Sequence, residues 1–201
     1  MRWLAIANPM AGRARDTERL LSRLRRTSGI RHEIVLTTAQ GDATRLARQS
    51  DGFDGLLVVG GDGTIAEVLH GMDFSRQRLA VLPAGHGNCL ARDLGVGHPD
   101  RALASLQRVA CRPLDLMDVS IGFADGREER RLCASTLALG YVAEVVALGR
   151  HRLHALGRAA YAAAAMVVVP TPFEARFAGS GDAHTRHFTG LVINNTAHLA
   201  N

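Results

Sequence analysis

The residues best suited to chemistry fall in three short clusters. Asn8-Pro9-Met10-Ala11-Gly12 follows one apolar run, Gly60-Gly61-Asp62-Gly63-Thr64 follows another, and Pro83-Ala84-Gly85-His86-Gly87-Asn88 follows a third. Glycines let the main chain approach a ligand closely, and free N–H groups at a helix start receive phosphate oxygens with help from the helix dipole. Bare backbone between an apolar run and a helical pattern therefore predicts a phosphate-binding mouth made from all three clusters.

Individual side chains sharpen this expectation and leave alternatives. Asp62 sits between two glycines and has nothing obvious to cap. It can hold Mg²⁺ through water or take a proton, and a plain turn aspartate is the other reading. Thr64 and Glu67 have the Thr-x-x-Glu spacing of a capping box ahead of Ile65, Val68, Leu69 and Met72, which does not prevent ligand contact. Gly61-x-Gly63-x-x-Ala66 also meets a loose dinucleotide fingerprint. The next strand, however, ends without the acid that a ribose needs, which argues against hydride chemistry.

The elements that must position these clusters alternate over the first hundred residues. Strands are expected at Trp3–Ala7, His32–Thr37, Leu56–Val59 and Leu79–Leu82, and helices at Asp16–Arg26, Asp42–Arg48, Ile65–Met72 and Arg101–Val109. Such a βαβ series predicts an α/β fold with a parallel sheet, whose ligands lie beyond the carboxyl ends of its strands. From about Pro113 the pattern changes to hairpins. Leu116–Phe123 and Arg131–Leu137 flank Ala-Asp-Gly-Arg, and Phe173–Ala178 and His187–Ile193 flank Gly-Ser-Gly-Asp. Two domains are expected: residues 1–112 as the α/β domain, and 113–201 as part of an antiparallel, β-rich second domain.

Composition removes several classes of function. All 24 basic residues among the 201 are arginine. Without lysine there is no P-loop, no protein-kinase strand lysine and no Schiff base. The net charge of +5 suits an anionic partner, with a genomic preference for arginine as the plainer explanation. Cys89, Cys111 and Cys133 are isolated, as suits a reducing cytoplasm, and they spell no metal knuckle. Ala159–Pro170 is too short to span a bilayer and reads as a buried Ala-rich helix, with peripheral lipid contact as the alternative.

Taken in order, Asn-Pro-x-x-Gly, Gly-Gly-Asp-Gly-Thr-x-x-Glu-Val and Pro-x-Gly-x-x-Asn resemble the catalytic domain shared by diacylglycerol kinases, sphingosine kinases and bacterial lipid kinases. The middle motif alone also occurs in NAD kinases and phosphofructokinases. The likeness continues to Leu137–Ala143, where such kinases enter their second, lipid-binding domain.

The resemblance implies an ATP site built from Asn8, Pro9, Gly12, Gly61, Asp62, Gly63, Thr64, Glu67, Gly85, His86, Gly87 and Asn88, with Thr37 as a further nucleotide contact. It implies Asp62 as the catalytic or Mg²⁺-linked carboxylate and Asp115 as a second metal-linked acid, Asp118 being close enough to compete for that alignment. A strand-end threonine and a solvated turn carboxylate are the plain alternatives for Thr37 and Asp115. Gly85-His86-Gly87-Asn88-Cys89 departs from the bacterial Gly-Thr-x-Asn-Asp, losing a phosphate-contacting hydroxyl and a metal-linked acid. His86 could donate to phosphate or be a surface histidine. Val146 aligns where sphingosine kinases carry an acid for the substrate's amine, which points to a neutral lipid.

The expected partners are a lipid substrate at a membrane surface, ATP and Mg²⁺, with no nucleic acid, no transmembrane segment and room for a homodimer. The expected location is cytoplasmic, with peripheral membrane association. The family's later acidic segment and Gly-Glu motif have no counterpart before Asn201, so truncation is also expected. A catalytically silent nucleotide binder is the second reading. NAD kinase is the third, disfavoured by the missing Asn-Glu in the loop after the fourth strand.

Overall fold

The computed structural model describes residues 1–12, 14–27, 29–108, 111–123, 125–153, 159–177 and 184–197. Four strands, β1 (Arg2–Ala7), β2 (Arg31–Leu36), β3 (Gly55–Gly60) and β4 (Arg78–Pro83), form a parallel sheet in the order β2-β1-β3-β4. Central β3 is buried at every position, which is why Leu56–Val59 reads as an unbroken apolar run rather than an alternating one. The helices are α1 (Ala14–Arg26), α2 (Asp42–Arg48), α3 (Asp62–Leu69), α4 (Cys89–Asp93) and α5 (Pro99–Gln107).

Alternate strand residues feed two cores. Ala5, Leu57, Val59 and Leu82 pack with Leu20 and Leu24 of α1 and with Ala102 and Leu106 of α5. Leu4, Ile6, Leu56 and Val58 pack with α2, α3 and α4 on the other face through Ala47, Val68 and Leu90. The chain leaves β1 toward β2 on one side and returns to β3 on the other, so the topological switch lies between the carboxyl ends of β1 and β3.

The molecule divides into two compact units, Met1–Ser135 joined by the segment beginning at Asn195, and Thr136–Asn194. The expected boundary near residue 113 therefore moves to residue 136. The reason is the hairpin of β5 (Met117–Gly122) and β6 (Glu128–Cys133), which belongs to the first unit: the Leu132 N–H donates to His70 Nε2 at the end of α3. Asn195 fastens the returning segment, its amide donating to the carbonyls of Asp115 and Ala134 at 2.8 and 3.3 Å.

The second unit is mixed rather than purely β. It contains β7 (Thr136–Gly140), α6 (Tyr141–His151), α7 (Ala160–Val167), β8 (Phe173–Phe177), β9 (His184–Phe188) and β10 (Gly190–Asn194). Gly140, at φ 63°, turns β7 directly into α6, and a Cβ there would meet the Phe173 ring at 2.5 Å. The single strand expected over His187–Ile193 breaks at Thr189, where the chain leaves β8 and pairs antiparallel with β7 instead. The expected turn residues 179–182 lie outside the described residues. Met166 and Val167 at the end of α7, and Val169 just beyond it, are exposed, unlike the buried helix expected there. Among the described residues, no helix is long and apolar enough to cross a membrane.

Candidate active site

The three clusters meet at the carboxyl edge of the sheet, and glycine is what lets them meet. A Cβ on Gly12, which has φ 66°, would lie 2.1 Å from the Ala84 carbonyl oxygen. One on Gly85 would lie 2.6 Å from the Gly61 Cα. The loops after β1 and β3 are also joined by the Asn8 amide, which donates to Thr64 Oγ1 at 3.2 Å, while Asn8 Oδ1 accepts from the Met10 N–H. Asn88 adopts the left-handed conformation, φ 51° and ψ 42°, and closes its own turn: Oδ1 accepts from the Gly85 N–H at 3.0 Å and Nδ2 donates to the Gly85 carbonyl at 2.7 Å.

Gly63 is different. Apart from its chain neighbours and the backbone of its own helix, no described atom lies within 4 Å of the place its Cβ would occupy. It is exposed and stands in the first turn of α3, where Asp62, Gly63 and Thr64 carry N–H groups that find no acceptor inside the helix. Bare backbone here answers no packing demand, and it leaves open space beside the first-turn N–H groups.

Helix α3 begins at Asp62, three residues earlier than expected, because extended Gly61 serves as its N-cap residue. That removes the capping box, since Thr64 is already inside the helix. Buried Thr64 faces Asn8, and half-buried Glu67 caps a neighbouring helix instead. Its Oε2 accepts from the Gly41 and Ala43 N–H groups of α2 at 3.0 and 3.2 Å. Glu67→Ala is expected to destabilise the fold by about 1–2 kcal/mol through those orphaned donors. A lower urea midpoint at an unchanged slope checks it.

Asp62, expected to have nothing to cap, also caps a neighbour. Its Oδ2 accepts from the Cys89 N–H and its Oδ1 from the Leu90 N–H, both at 3.1 Å, which holds the carboxylate at the start of α4. Sequence patterns missed α4 because five residues are too few to show helical periodicity. Burial, together with the neighbouring Asp62 carboxylate, pushes the Cys89 thiol up from its ordinary value.

Buried Thr37 lies just beyond β2, its N–H donating to the Ala7 carbonyl at 2.9 Å. The next loop is organised by Asp42, which accepts from the Thr38 hydroxyl and from the Thr38 and Ala39 N–H groups. The Thr38 hydroxyl and N–H, aided by Arg45, hold the Asp42 carboxyl well below the usual carboxylate range. His86 is exposed at the tip of its loop, and Gly87 is half-buried beside it.

Asp115 is exposed and lines a cavity of about 490 Å³ with Leu90 and Asp93 of α4, so it flanks the helix that Asp62 caps. Asp118 is committed elsewhere, accepting from Arg130 Nε and Nη2 at 2.7 and 2.6 Å, and this ion pair lowers its pKa. Among the described residues, no three His, Cys, Asp or Glu side chains gather as a metal cage. A larger cavity of about 650 Å³ runs along β4 and contains none of the motif residues.

A parallel sheet covered by helices, with glycine loops at the carboxyl ends of its strands, defines an open α/β class of domain, in which ligands bind at that edge. The family follows from comparison with known proteins: the chain belongs to the diacylglycerol kinase catalytic domain family, whose profile matches residues 2–119. It is 34% identical over 123 residues to a diacylglycerol kinase of Bacillus subtilis (strain 168), covering 57% of this chain and 41% of that protein. It is 30% identical over 164 residues to sphingosine kinase 1 of Rattus norvegicus, covering 72% and 42%. A crystal structure of a diacylglycerol kinase from Bacillus anthracis str. Sterne superposes with a TM-score of 0.68 at 22% identity, over 98% of this chain and 65% of that one. The chain thus spans less than half the length of these two curated relatives.

Proposed function

We propose that this chain binds ATP at the carboxyl edge of β1, β3 and β4 and belongs to an enzyme that transfers the γ-phosphoryl group to a lipid hydroxyl. The observation that carries the reading is the open space at Gly63 beside the first-turn N–H groups of α3, which have no acceptor inside the helix, whereas the Cβ positions of Gly12, Gly61 and Gly85 are crowded by neighbouring loops. Kinship to enzymes named for diacylglycerol and sphingosine supports a lipid acceptor.

Phosphoryl transfer asks mainly for positioning and for neutralising charge. The first-turn N–H groups of α3 would take phosphate oxygens, and Asn8, tied to Thr64, would wall the β1 side. Asp62, fixed by two backbone N–H groups, keeps further lone pairs on both oxygens with which to orient the attacking hydroxyl and accept its proton. Mg²⁺, which is commonly held by one or two carboxylates plus substrate phosphates, would be held by Asp62, with Asp115 as the second candidate carboxylate, and would supply charge neutralisation on the triphosphate.

The test combines calorimetry of ATP with Mg²⁺ and transfer of γ-labelled phosphate to diacylglycerol and to sphingosine presented in mixed micelles. Saturable ATP binding and labelled lipid are expected, with diacylglycerol preferred because Val146 offers no charge to an amine. ATP binding without label in either lipid would leave the silent-binder reading. Absence of ATP binding would remove both.

A further inference from the structure

Strand β4 ends the parallel sheet on one side, so one of its edges has no neighbouring strand. The Arg78 and Ala84 N–H groups donate to the carbonyls of Asp54 and Gly60 on the β3 side, at 3.1 and 3.0 Å, which fixes the alternation along β4. Even-numbered residues face β3, and odd-numbered ones face away. Among the outward positions, Gln77 donates its N–H to the Asp73 carbonyl at 2.8 Å, and Pro83 has no N–H. Leu79 and Val81 remain. Among the described residues, nothing accepts from their N–H groups and nothing donates to their carbonyls.

These four backbone groups lie along the larger cavity, of about 650 Å³. Val81 is only 4% exposed, so the open edge runs along the bottom of a groove. Leu106 of the core layer that contains α1 and α5 lines one wall, and Leu69, Met72 and Leu114 of the opposite layer line the other. Free edges are commonly blunted by proline or charge, and here Pro83 and Arg78 mark the two ends of β4 and leave its middle open. Unpaired N–H and C=O groups between apolar walls call for a partner. Exposed Arg78 and Arg112 also line the groove, and no carboxylate does.

We propose that the β4 groove takes up an extended segment of a partner protein as a fifth strand, apolar in its middle and acidic at its flanks. Backbone of the partner would satisfy Leu79 and Val81, and its alternate side chains would meet the two apolar walls. Carboxylates at the flanks would meet Arg78 and Arg112. A lipid chain fits the walls but has no groups to pair with the edge. A second copy cannot pair through its own β4, which is recessed in the identical groove.

The experiment is fluorescence anisotropy of the 201-residue chain with a labelled synthetic peptide, Glu-Glu-Val-Thr-Val-Ile-Val-Glu-Glu. Saturable binding is expected. N-methylation of alternate core amides leaves one edge of the peptide able to pair and should change binding little, whereas N-methylation of all five should abolish it. Leu79→Pro removes one N–H from the open edge, at a position where an edge strand tolerates proline, and should weaken binding on the order of tenfold or more. A cooperative urea transition shows that this variant folds, and the methylated peptides decide the matter on the parent protein in any case. Arg78→Glu should weaken the acidic peptide and strengthen one flanked by lysines. Absence of saturable binding, equal binding of the fully methylated peptide, or an unchanged preference for glutamate flanks in Arg78→Glu would each overturn the proposal. A dimer that Leu79→Pro dissociates would give the edge to a second copy and overturn it as well. None of these readouts uses phosphoryl transfer, so the outcome is independent of the kinase reading.

Discussion

Gly63→Val is expected to abolish ATP binding and to leave the fold intact. Most motif glycines could not give so clean a result. Valine at Gly85 would drive a branched side chain into the Gly61 backbone, and at Gly12 it would meet the Ala84 carbonyl in a left-handed conformation that favours glycine. Loss of ATP binding in either case would be indistinguishable from collapse of the loops. At Gly63 the added Cβ enters space that no described atom beyond its chain neighbours and its own helix backbone approaches within 4 Å. Helix propensity even favours the change, because glycine in a helix is among the least favourable residues and valine is not. The added side chain excludes phosphate oxygens from the first-turn N–H groups. Losing two charge-assisted hydrogen bonds costs about 3–6 kcal/mol, a fall in affinity on the order of a hundredfold or more. Calorimetry, with the thermal midpoint measured on the same samples, decides the matter. A folded variant that binds ATP as well as the parent would place the nucleotide elsewhere.

The same glycines show how far the sequence could be read. The four-strand parallel sheet was legible because β3 is a pure apolar run and each helix begins after a polar or glycine-rich break. The convergence of three strand-end clusters follows from parallel topology alone. What could not be read was which glycines serve the protein and which serve a ligand. Gly12, Gly61 and Gly85 are spent on loop-to-loop contact, a property of residues far apart in the chain. Capping was misassigned for the same reason. Thr64 and Glu67 have box spacing, but their partners Asn8, Gly41 and Ala43 come from other loops, and local pattern carries no trace of them. Helix α6 does carry a signal in the sequence, because Val142, Val145, Val146 and Gly149 recur at helical spacing.

Asp62→Asn is expected to lower phosphoryl transfer by orders of magnitude while weakening ATP binding far less. Geometry adds a second, smaller consequence. Both carboxylate oxygens accept backbone N–H groups of α4, whereas an amide offers one oxygen and one NH₂. Either the Cys89 or the Leu90 N–H must then face another donor, at a cost of about 1–3 kcal/mol in stability. The variant is therefore assayed at low temperature, where it remains folded, and turnover is expressed per folded molecule. If Asp62 only capped α4, turnover would fall in parallel with the folded fraction and recover on cooling, and ATP affinity would follow it. If its charge acts on the reacting hydroxyl or the metal-bound phosphates, the defect persists in fully folded protein and falls on the chemical step, because such an interaction strengthens in the transition state. Near-parental turnover per folded molecule would reduce Asp62 to the cap of a five-residue helix and leave Asp115 as the remaining candidate carboxylate.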